Sequence, residues 1–426
     1  MNAQEAVAYI DSYYPHVTVP GLHRIRPLME KLGNPQDSLR FIHVAGTNGK
    51  GSTCAMLASV LQRAGYKTGL FTSPHLIRFN ERMQINGEEI PDADLARITE
   101  QVRPVADAAP EELNEFELIT AIGFTWFAEQ KCDIVVCEVG LGGEFDATNV
   151  IPAPEASVIC NIGLDHTALL GNTLEEIASA KAGIIKPGCP AVVYRGTEGV
   201  EKVYEDRCAA LGSPLYKADF AHLASVSSSL DGQVFRCALR PDIRLSLPGD
   251  HQLRNAAVVL KTLDVLIDRG WKIPEHCIYE GLANVGWPVR FQVMQRDPVF
   301  ILDGGHNPQC IESLIENLNR LLPDTYLVLL VGILADKDFS LMSGELAKIA
   351  GEFVTMTPDS KRALSGEELG RVIGSTTGKP VTVGGTIPEG IETAIRIARE
   401  KNGAVVCVGS LYLAGDVLEY FQTKKQ

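Results

Sequence analysis

Short apolar runs of strand length alternate with helical patterns along nearly the whole chain. This alternation is typical of a parallel sheet covered by helices on both faces. In the first part of the chain, strands are predicted at Phe41–Val44, Thr68–Phe71, Ile134–Val139, Ser157–Asn161 and Ala191–Tyr194. Apolar positions at helical spacing predict helices at Lys50–Ala64, Leu118–Phe127 and Leu174–Ile185, and Gly65 fits the C-cap of the first helix.

A second alternating series begins after Arg296 and is long enough for a complete domain. Its strands are predicted at Val299–Leu302, Tyr326–Val331, Phe353–Met356, Val381–Val383 and Ala404–Val408. Between the two series, residues 219–247 alternate over short turn-rich stretches, which predicts a small antiparallel excursion. Gly286 and Pro288 then suit a linker. We therefore expect an α/β protein with two domains, residues 1–290 and residues 291–426.

Composition narrows the classes of partner. The formal net charge of the 426 residues is −14, and no long basic run offsets it, so we do not expect a nucleic-acid partner. No apolar run approaches the roughly 20 residues that cross a bilayer, and the N-terminus does not read as a signal peptide. The ten cysteines are dispersed, without a zinc-type cluster. These features predict a cytoplasmic protein that binds no membrane, and nothing demands an oligomer, so we expect a monomer.

The segment Phe41–Thr53, FIHVAGTNGKGST, carries the strongest chemical signal. An apolar strand ends in a glycine-rich turn that leads into a helix, so backbone amides and Lys50 can face phosphate oxygens. Ser52 or Thr53 is then placed near a metal ion. The strict pattern G-x-x-x-x-G-K-[ST] is not met, because Val44 stands in the place of its first glycine and Gly51 separates the lysine from Ser52. The loop predicts a P-loop ATPase-type domain but leaves kinase, GTPase, motor and ligase chemistry open.

Polar groups follow several of the predicted strands. Glu138 ends one strand, and Asp146 and His166 follow at what should be the same edge of the sheet, where parallel strands present their carboxyl ends. Carboxylate oxygens suit Mg²⁺, and ligands from separate strand ends are typical of two-metal or metal-plus-base sites. An ordinary solvated glutamate and a structural histidine are the alternatives. The loop after Thr72 adds Ser73, which could reach the same crevice.

Two further groups carry chemical interest. Lys181 lies in a helical stretch between alanines, and burial on that apolar face would lower its pKa and permit covalent modification; a solvated helix lysine is the commoner alternative. In the second domain, Asp303, His306 and Ser410 directly follow predicted strands. Two such domains would bind a triphosphate and a second substrate.

Taken together and in this order, the motifs resemble those of the folylpolyglutamate synthases, which in many bacteria also act as dihydrofolate synthases, within the Mur ligase superfamily. The resemblance covers nearly the whole chain. It rests on LHRIRPLMEKLGNP, IHVAGTNGKGS, FTSPHL, RFNERMQING, NEFELIT, CEVGLGGEFDATN, NIGLDHTALLG, IASAKAGIIK, HQLRNAA, WPVRF, LDGGHNP, the DKD of ILADKDF, TPDSKRAL and VGSLYLAG. It implies a mainly parallel N-terminal sheet and a smaller Rossmann-like C-terminal α/β domain.

The resemblance also implies two cofactors, ATP and Mg²⁺, with Mg²⁺ in two sites. It further implies roles for individual residues. Phosphates would be held by Gly49, Lys50, Gly51 and Ser52, and the rest of the nucleotide by Asn255, Arg290 and Asp303. Magnesium would be coordinated by Ser73, Glu138 and His166. Lys181 would carry a carbamate, and Lys50, Lys181 and His166 form the implied catalytic set. Phe116 and Glu117 would cover the pteridine-containing substrate, and His306 and Ser410 would meet the incoming glutamate.

Some positions depart from the commoner pattern of the family. Glu144 and Phe145 stand where arginine and leucine are frequent, Gly305 replaces an alanine in DGxHNP, and Val289 replaces a glycine in WPxR. Glu144 adds a negative charge near bound anions, which bears on substrate preference and leaves the expected metal ligands intact.

The implied reaction is ATP-dependent amide formation through an acyl phosphate, with small molecules as partners: a folate or dihydropteroate, L-glutamate and ATP. Two other hypotheses stand beside it. A Mur-type enzyme that extends a nucleotide-linked peptide would share the loop and the two domains, although TSPHL and NEFELIT argue against it. A P-loop switch that hydrolyses nucleotide to change partners belongs to a different class, and the strand-end polar loops of the second domain argue against it.

Overall fold

The computed structural model describes residues 1–13, 21–238, 240–335, 339–360 and 362–424. The chain forms two compact units. The first contains Met1–Ala224, Phe235–Leu245 and Gln252–Val285, and the second contains Ser225–Val234, Ser246–His251 and Gly286–Gln426. The predicted motif at positions 336–338 and the lysine of TPDSKRAL lie outside the described residues.

The elements up to residue 285 are as follows: α1 Ala3–Asp11, α2 Ile25–Lys31, β1 Phe41–Ala45, α3 Lys50–Arg63, β2 Thr68–Phe71, β3 Met83–Ile85, β4 Glu88–Glu89, α4 Asp92–Asp107, α5 Glu115–Glu129, β5 Ile134–Glu138, β6 Ala156–Ile159, α6 Thr167–Leu170, α7 Leu174–Ala182, β7 Ala191–Val193, α8 Glu198–Leu211, β8 Leu215–Lys217, β9 Leu223–Ser229, β10 Gly232–Cys237, β11 Arg240–Leu245, α9 Asp250–Asp268 and α10 Glu275–Ala283. Short 3-10 helices occupy Pro35–Ser38, Phe79–Arg82 and Ala147–Val150.

The elements that follow are β12 Gln292–Arg296, β13 Val299–Leu302, α11 Pro308–Leu321, β14 Leu327–Val331, α12 Phe339–Ala347, β15 Ala350–Thr355, α13 Gly366–Thr377, β16 Val381–Val383, α14 Ile387–Glu400, β17 Ala404–Val408 and α15 Leu411–Thr423.

The first unit is built on an eight-stranded sheet in the order β4-β3-β2-β5-β1-β6-β7-β8. The strands from β2 to β8 in this order pair in parallel, and β3 and β4 add an antiparallel edge. Strands β1 and β5 are buried along their whole length, as expected for a sheet covered on both faces. The carboxyl ends of β1, β5 and β6 therefore meet at one edge of the sheet.

Helices pack apolar side chains onto the sheet of the first unit. On α5, the ring of Phe124 lies 5.1 Å from that of Phe41 and 5.7 Å from that of Phe71, measured between centroids. A separate apolar cluster joins Ile177 of α7 and Tyr204 of α8 to strand residues such as Ile159. Full burial of each such side chain contributes about 1.5–3 kcal/mol, so these contacts hold the sheet rigid beneath its carboxyl edge.

The second unit has a six-stranded sheet in the order β12-β13-β17-β14-β15-β16. It is parallel except for β12, which pairs antiparallel with β13. A buried apolar cluster that includes Ile311, Leu329 and Phe353 joins its helices to the sheet. The mixed α/β class with a mainly parallel N-terminal sheet and a smaller C-terminal α/β domain is thereby confirmed. A three-stranded sheet in the order β11-β10-β9 occupies the turn-rich region of the chain.

The structure corrects several predicted boundaries. The strand expected at Ser157–Asn161 ends at Ile159, because the Asn161 carbonyl accepts hydrogen bonds from the Thr47 and Asn48 amides of the glycine turn. The helix expected to reach Ile185 ends at Ala182. Four short strands, β3, β4, β8 and β12, were not predicted, since three of them are two or three residues long and all four lie outside the apolar runs. No helix among the described residues is long and apolar enough to cross a membrane.

Candidate active site

The glycine turn between β1 and α3 forms one wall of the site. Gly49 adopts φ 88° and stands at the N-cap of α3, where no side chain caps the helix. The first amides of a helix have no acceptor within it, so this end of α3 is suited to an anion. Lys50 is the first residue of the helix, and its Nζ donates to the Thr47 carbonyl at 3.3 Å. The predicted glycine turn and helix start are thus present, and phosphate binding there stays a prediction.

Helix α9 packs against this turn. The Gln252 side chain donates to Ser52 Oγ at 3.1 Å, and Asn255 donates to Gln252 Oε1 at 3.1 Å. A Cβ atom on Gly49 would lie 2.5 Å from Asn255 Oδ1, so only glycine fits there without displacing that amide. The structure therefore brings Asn255 beside the phosphate loop, and its predicted contact with the nucleotide stays a prediction.

Glu138 and Ser73 meet at the carboxyl edge of the sheet. Glu138 pairs in register with Val44 of β1, so its side chain emerges beside the glycine turn. It is 5% exposed, and its Oε2 accepts the Ser73 amide at 3.2 Å. A buried carboxylate next to a hydroxyl supplies the oxygen donors that Mg²⁺ prefers.

His166 does not belong to a complete group of metal-binding side chains among the described residues. It has φ 50° at the start of α6, and its side chain is half exposed while that of the adjacent Asp165 is largely buried. Among the described residues, no three His, Cys, Asp or Glu side chains form a group that could hold a metal ion. Mg²⁺ commonly binds through one or two carboxylates, waters and phosphate oxygens, so the Glu138–Ser73 pair still fits this ion. The role of His166 as a ligand stays a prediction.

Lys181 is buried on α7, with 5% of its surface exposed. Burial, reinforced by the charge of Lys50, lowers its pKa to about 7, while Asp165 and Asp146 act in the opposite direction. The bland alternative of a solvated helix lysine is therefore wrong. An amine with a pKa near neutrality, buried close to two carboxylates and a second lysine, is open to covalent modification.

Phe116 and Glu117 begin α5 and differ in what they contact. The ring of Phe116 packs against Gly140, where a Cβ atom would lie 2.7 Å from the ring. Glu117 is 1% exposed, receives Arg24 on both oxygens at 3.1 and 3.2 Å, and accepts the Asn114 amide at 2.8 Å in a capping box. Its carboxylate is thus committed to holding the helix, and the predicted contact with substrate stays a prediction.

In the second unit, Asp303 at the end of β13 accepts hydrogen bonds from two backbone amides. Asp303 Oδ2 accepts the Phe291 amide at 2.9 Å, and Oδ1 accepts the Gly305 amide at 2.8 Å. Arg290 precedes β12 and lies close to this strand end, since a Cβ atom on Gly304 would be 2.8 Å from its Nη1. Val289, in the place of a common glycine, has φ 60°, an uncommon conformation for a β-branched residue. The structure therefore brings Arg290 and Asp303 together, and their predicted contacts with the nucleotide stay a prediction.

His306 and Ser410 lie just before the helices α11 and α15, which follow the paired strands β13 and β17. The Nδ1 atom of His306 is 2.9 Å from the Gly304 carbonyl, which can only accept, so Nδ1 carries a proton. Ser410 is 2% exposed and caps α15 by accepting the Tyr412 amide at 3.1 Å. The Gly409 amide donates to the Gly305 carbonyl at 3.0 Å, which ties the two predicted glutamate-site loops together.

Sequence reasoning missed two features of the site. Gln252 orients the Ser52 hydroxyl, and its spacing of three residues from Asn255 on one helix was the available signal. The polar chain from His43 through Thr148 to Asp146 also went unrecognised, because His43 lies inside an apolar strand pattern.

The fold and the site define the Mur ligase class. The model of the Mur ligase middle domain matches residues 44–263, and that of the Mur ligase glutamate ligase domain matches residues 289–411. The chain is 36% identical to the folylpolyglutamate synthase of Lacticaseibacillus casei over 98% of each chain. It is 35% identical to the dihydrofolate synthase/folylpolyglutamate synthase of Bacillus subtilis, over 97% of this chain and 98% of that one. The structure of Mycobacterium tuberculosis folylpolyglutamate synthase complexed with ADP and AMPPCP matches with a TM-score of 0.90 at 30% identity, over 98% of both chains. The chain belongs to the folylpolyglutamate synthase/dihydrofolate synthase family.

Proposed function

We propose that this protein is an ATP-dependent ligase that joins L-glutamate to the carboxylate of a folate-type acid, releasing ADP and phosphate. The observation that carries the proposal is the uncapped start of α3, with Lys50, beside the buried Glu138–Ser73 pair. The full-length relatives support glutamate ligation as the reaction. The proposed acids are tetrahydrofolate polyglutamates and dihydropteroate.

The nucleotide would bind along the turn that precedes α3. The amides of Lys50, Gly51 and Ser52 would receive phosphate oxygens at the positive end of the helix dipole, and Lys50 would add a full charge. Asn255 would contact the adenine, and Arg290 and Asp303 of the second unit would complete nucleotide binding. Most of the rate enhancement would then come from positioning and charge stabilisation.

Magnesium would be held by Glu138 and Ser73, with His166 as a further ligand, and when bound it neutralises charge on the phosphates. Lys181 supplies a second element. Its neutral amine can add to CO₂, losing one proton to form a carbamate that converts a cation into an anionic oxygen donor. Burial of Lys181 and its pKa of about 7 support this modification.

The bond changes follow from the poor leaving ability of a carboxylate oxygen. A carboxylate oxygen of the acid attacks the γ-phosphorus and expels ADP, which forms an acyl phosphate. The amine of glutamate then attacks the acyl carbon, and collapse of the tetrahedral intermediate expels inorganic phosphate. His306 and Ser410 are the proposed contacts of the glutamate, and Phe116 and Glu117 cover the acid. A monomer in the cytoplasm remains the expected setting.

Substrate-dependent ADP release tests the proposal. ADP should appear only when both a pteroate-type acid and L-glutamate are present with ATP. Equal ADP release with either one omitted would instead indicate a nucleotide hydrolase. Mass spectrometry of the products from dihydropteroate and from tetrahydrofolate then shows which acid gains the mass of one or more glutamyl residues. A nucleotide-linked peptide in place of the acid controls for a Mur-type peptide ligase.

A further inference from the structure

His43 is a fully buried polar residue in the centre of β1. Its Nε2 lies 2.8 Å from the hydroxyl of Thr148, in the 3-10 helix that follows the β5 loop. The same hydroxyl contacts Asp146 Oδ1, which also accepts the Thr148 amide at 3.0 Å. A chain of three polar side chains thus runs from the middle of the sheet to the loop after Glu138.

The chemistry of the three side chains determines which group donates in each of these hydrogen bonds. A carboxylate only accepts, so the Thr148 hydroxyl donates its proton to Asp146 and must accept from His43. His43 therefore carries its proton on Nε2 and leaves Nδ1 unprotonated. Nδ1 is buried and has no hydrogen-bond partner among the described residues. Burial and the nearby Lys186 lower the pKa of His43 to about 3, which keeps the ring neutral.

Asp146 connects these hydrogen bonds to the loop at residues 140–146. Its Oδ2 accepts the Leu141 amide at 2.9 Å, so the carboxylate closes residues 141–146 into a turn. Within that turn, Gly143 packs so closely on α7 that a Cβ atom would lie 2.8 Å from the Lys181 carbonyl. The Glu144 amide donates to the Ala180 carbonyl at 3.0 Å. The loop therefore holds the end of α7, where Lys181 is located.

We propose that His43 is a positioning residue for the ligase: through Thr148 and Asp146 it fixes the loop at residues 140–146 and thereby the placement of Lys181 and Phe116. This inference rests on the proposed function for its effect on the reaction. An apolar residue would be less costly to bury than a ring with an unpartnered nitrogen. The hydrogen bond to Thr148 accounts for the presence of a histidine here, because its Nε2–H supplies the donor for that hydroxyl while the hydroxyl donates to Asp146.

The test compares variants that remove the Nε2 donor with variants that keep one. His43→Leu removes the donor, whereas the amide of His43→Gln can still reach Thr148. Thr148→Val removes the hydroxyl at nearly constant volume, and Thr148→Ser keeps it. Thr262→Val is the matched control, since it also deletes a fully buried hydroxyl, one that donates to the Val258 carbonyl of its own helix. For each variant, kcat, KM for the acid and for ATP, the melting temperature, and deuterium exchange of the 140–149 segment are measured.

Loss of the His43–Thr148–Asp146 hydrogen bonds should lower kcat about 10-fold in His43→Leu and in Thr148→Val, with KM for ATP unchanged. An effect of this size is typical when a residue that supports a functional group is removed. Deuterium exchange of residues 140–149 should rise in both, and His43→Gln and Thr148→Ser should resemble the wild type. The double variant should lose no more than either single variant, because both interrupt one chain. Thr262→Val should change only the melting temperature.

The proposal is overturned if His43→Leu retains wild-type kcat and wild-type exchange at a temperature where it is folded, or if the two single losses multiply in the double variant. Should His43→Leu fail to fold, Thr148→Val against Thr148→Ser decides the same point. Absence of ligase activity in the wild type would refute the proposed function instead, and the exchange measurement would still decide whether the chain orders the loop.

Discussion

The buried ion pair between Arg24 and Glu117 offers a prediction whose size follows from the structure. The side chains are 5% and 2% exposed, and the guanidinium contacts both carboxylate oxygens, with Nη2 to Oε1 at 3.1 Å. The substitution Glu117→Gln removes the charge and keeps an oxygen that can accept the Asn114 amide. It therefore isolates the ion pair from the capping box at the start of α5.

Removing one partner of a buried pair leaves the other charge buried and uncompensated, which costs about 3–5 kcal/mol. At about 1.4 kcal/mol per factor of ten, the unfolding equilibrium constant of the first unit should rise by roughly two to three and a half orders of magnitude. For a unit of this size, each kcal/mol lowers the melting temperature by about 2–4 °C. The melting temperature should thus fall by roughly 6–20 °C.

Tryptophan fluorescence follows this transition, because Trp126 is buried on the same helix. Glu115→Gln is the matched control: it makes the same change in the same helical turn, where the nearest guanidinium, that of Arg82, is 4.0 Å away. The control should shift the melting temperature far less. Equal small shifts in the two variants would refute the reasoning and would point to a role for Glu117 in the substrate site rather than in the fold.

Three substitutions and one pH profile test the site further. Gly49→Ala should raise KM for ATP, because its Cβ would lie 2.5 Å from Asn255 Oδ1. The control Gly65→Ala has a similar φ of 91° and nothing within 4 Å of its Cβ, so it should only lower stability by about 1–2 kcal/mol. Equal KM values for the two variants would contradict this prediction. Lys181→Ala should lose activity and regain part of it with added short carboxylates, and full activity without them would remove the carbamate from the account. Since the Lys181 pKa is lowered to about 7, protonation should increasingly block carbamate formation, so wild-type activity in bicarbonate should fall as the pH drops through this value, and a flat pH profile would argue against it. Ser410→Ala should cost about 1 kcal/mol through loss of the α15 cap and raise KM for glutamate with KM for ATP unchanged; a rise in KM for ATP alone would place Ser410 in the nucleotide site.

The parallel sheets and the loop were predictable because their signals are local. The apolar run at Phe41 predicts a buried strand, and the glycines after it permit a turn with positive φ, so the conformation of this turn follows from neighbouring residues. Burial of Lys181 was also foreseeable from the alanines and isoleucines around it.

The remaining features depend on partners distant in the chain. Arg24 and Glu117 are 93 positions apart, His43 and Thr148 are 105 apart, and Gln252 meets Ser52 across 200 positions. Periodicity says which face of an element is buried but not which polar group it meets there. Hence Glu117 was predicted as a substrate contact from its motif, while its ion pair with Arg24 emerged only from the fold.

The acid is proposed to be activated as an acyl phosphate. Isotope transfer tests it most directly: a pteroate-type acid labelled with ¹⁸O in its carboxylate is converted with ATP and L-glutamate, and the inorganic phosphate is analysed by mass spectrometry. One ¹⁸O atom is expected in each phosphate released, because the carboxylate oxygen that attacks the γ-phosphorus leaves with it. Amide product formed together with unlabelled phosphate would contradict an acyl phosphate intermediate.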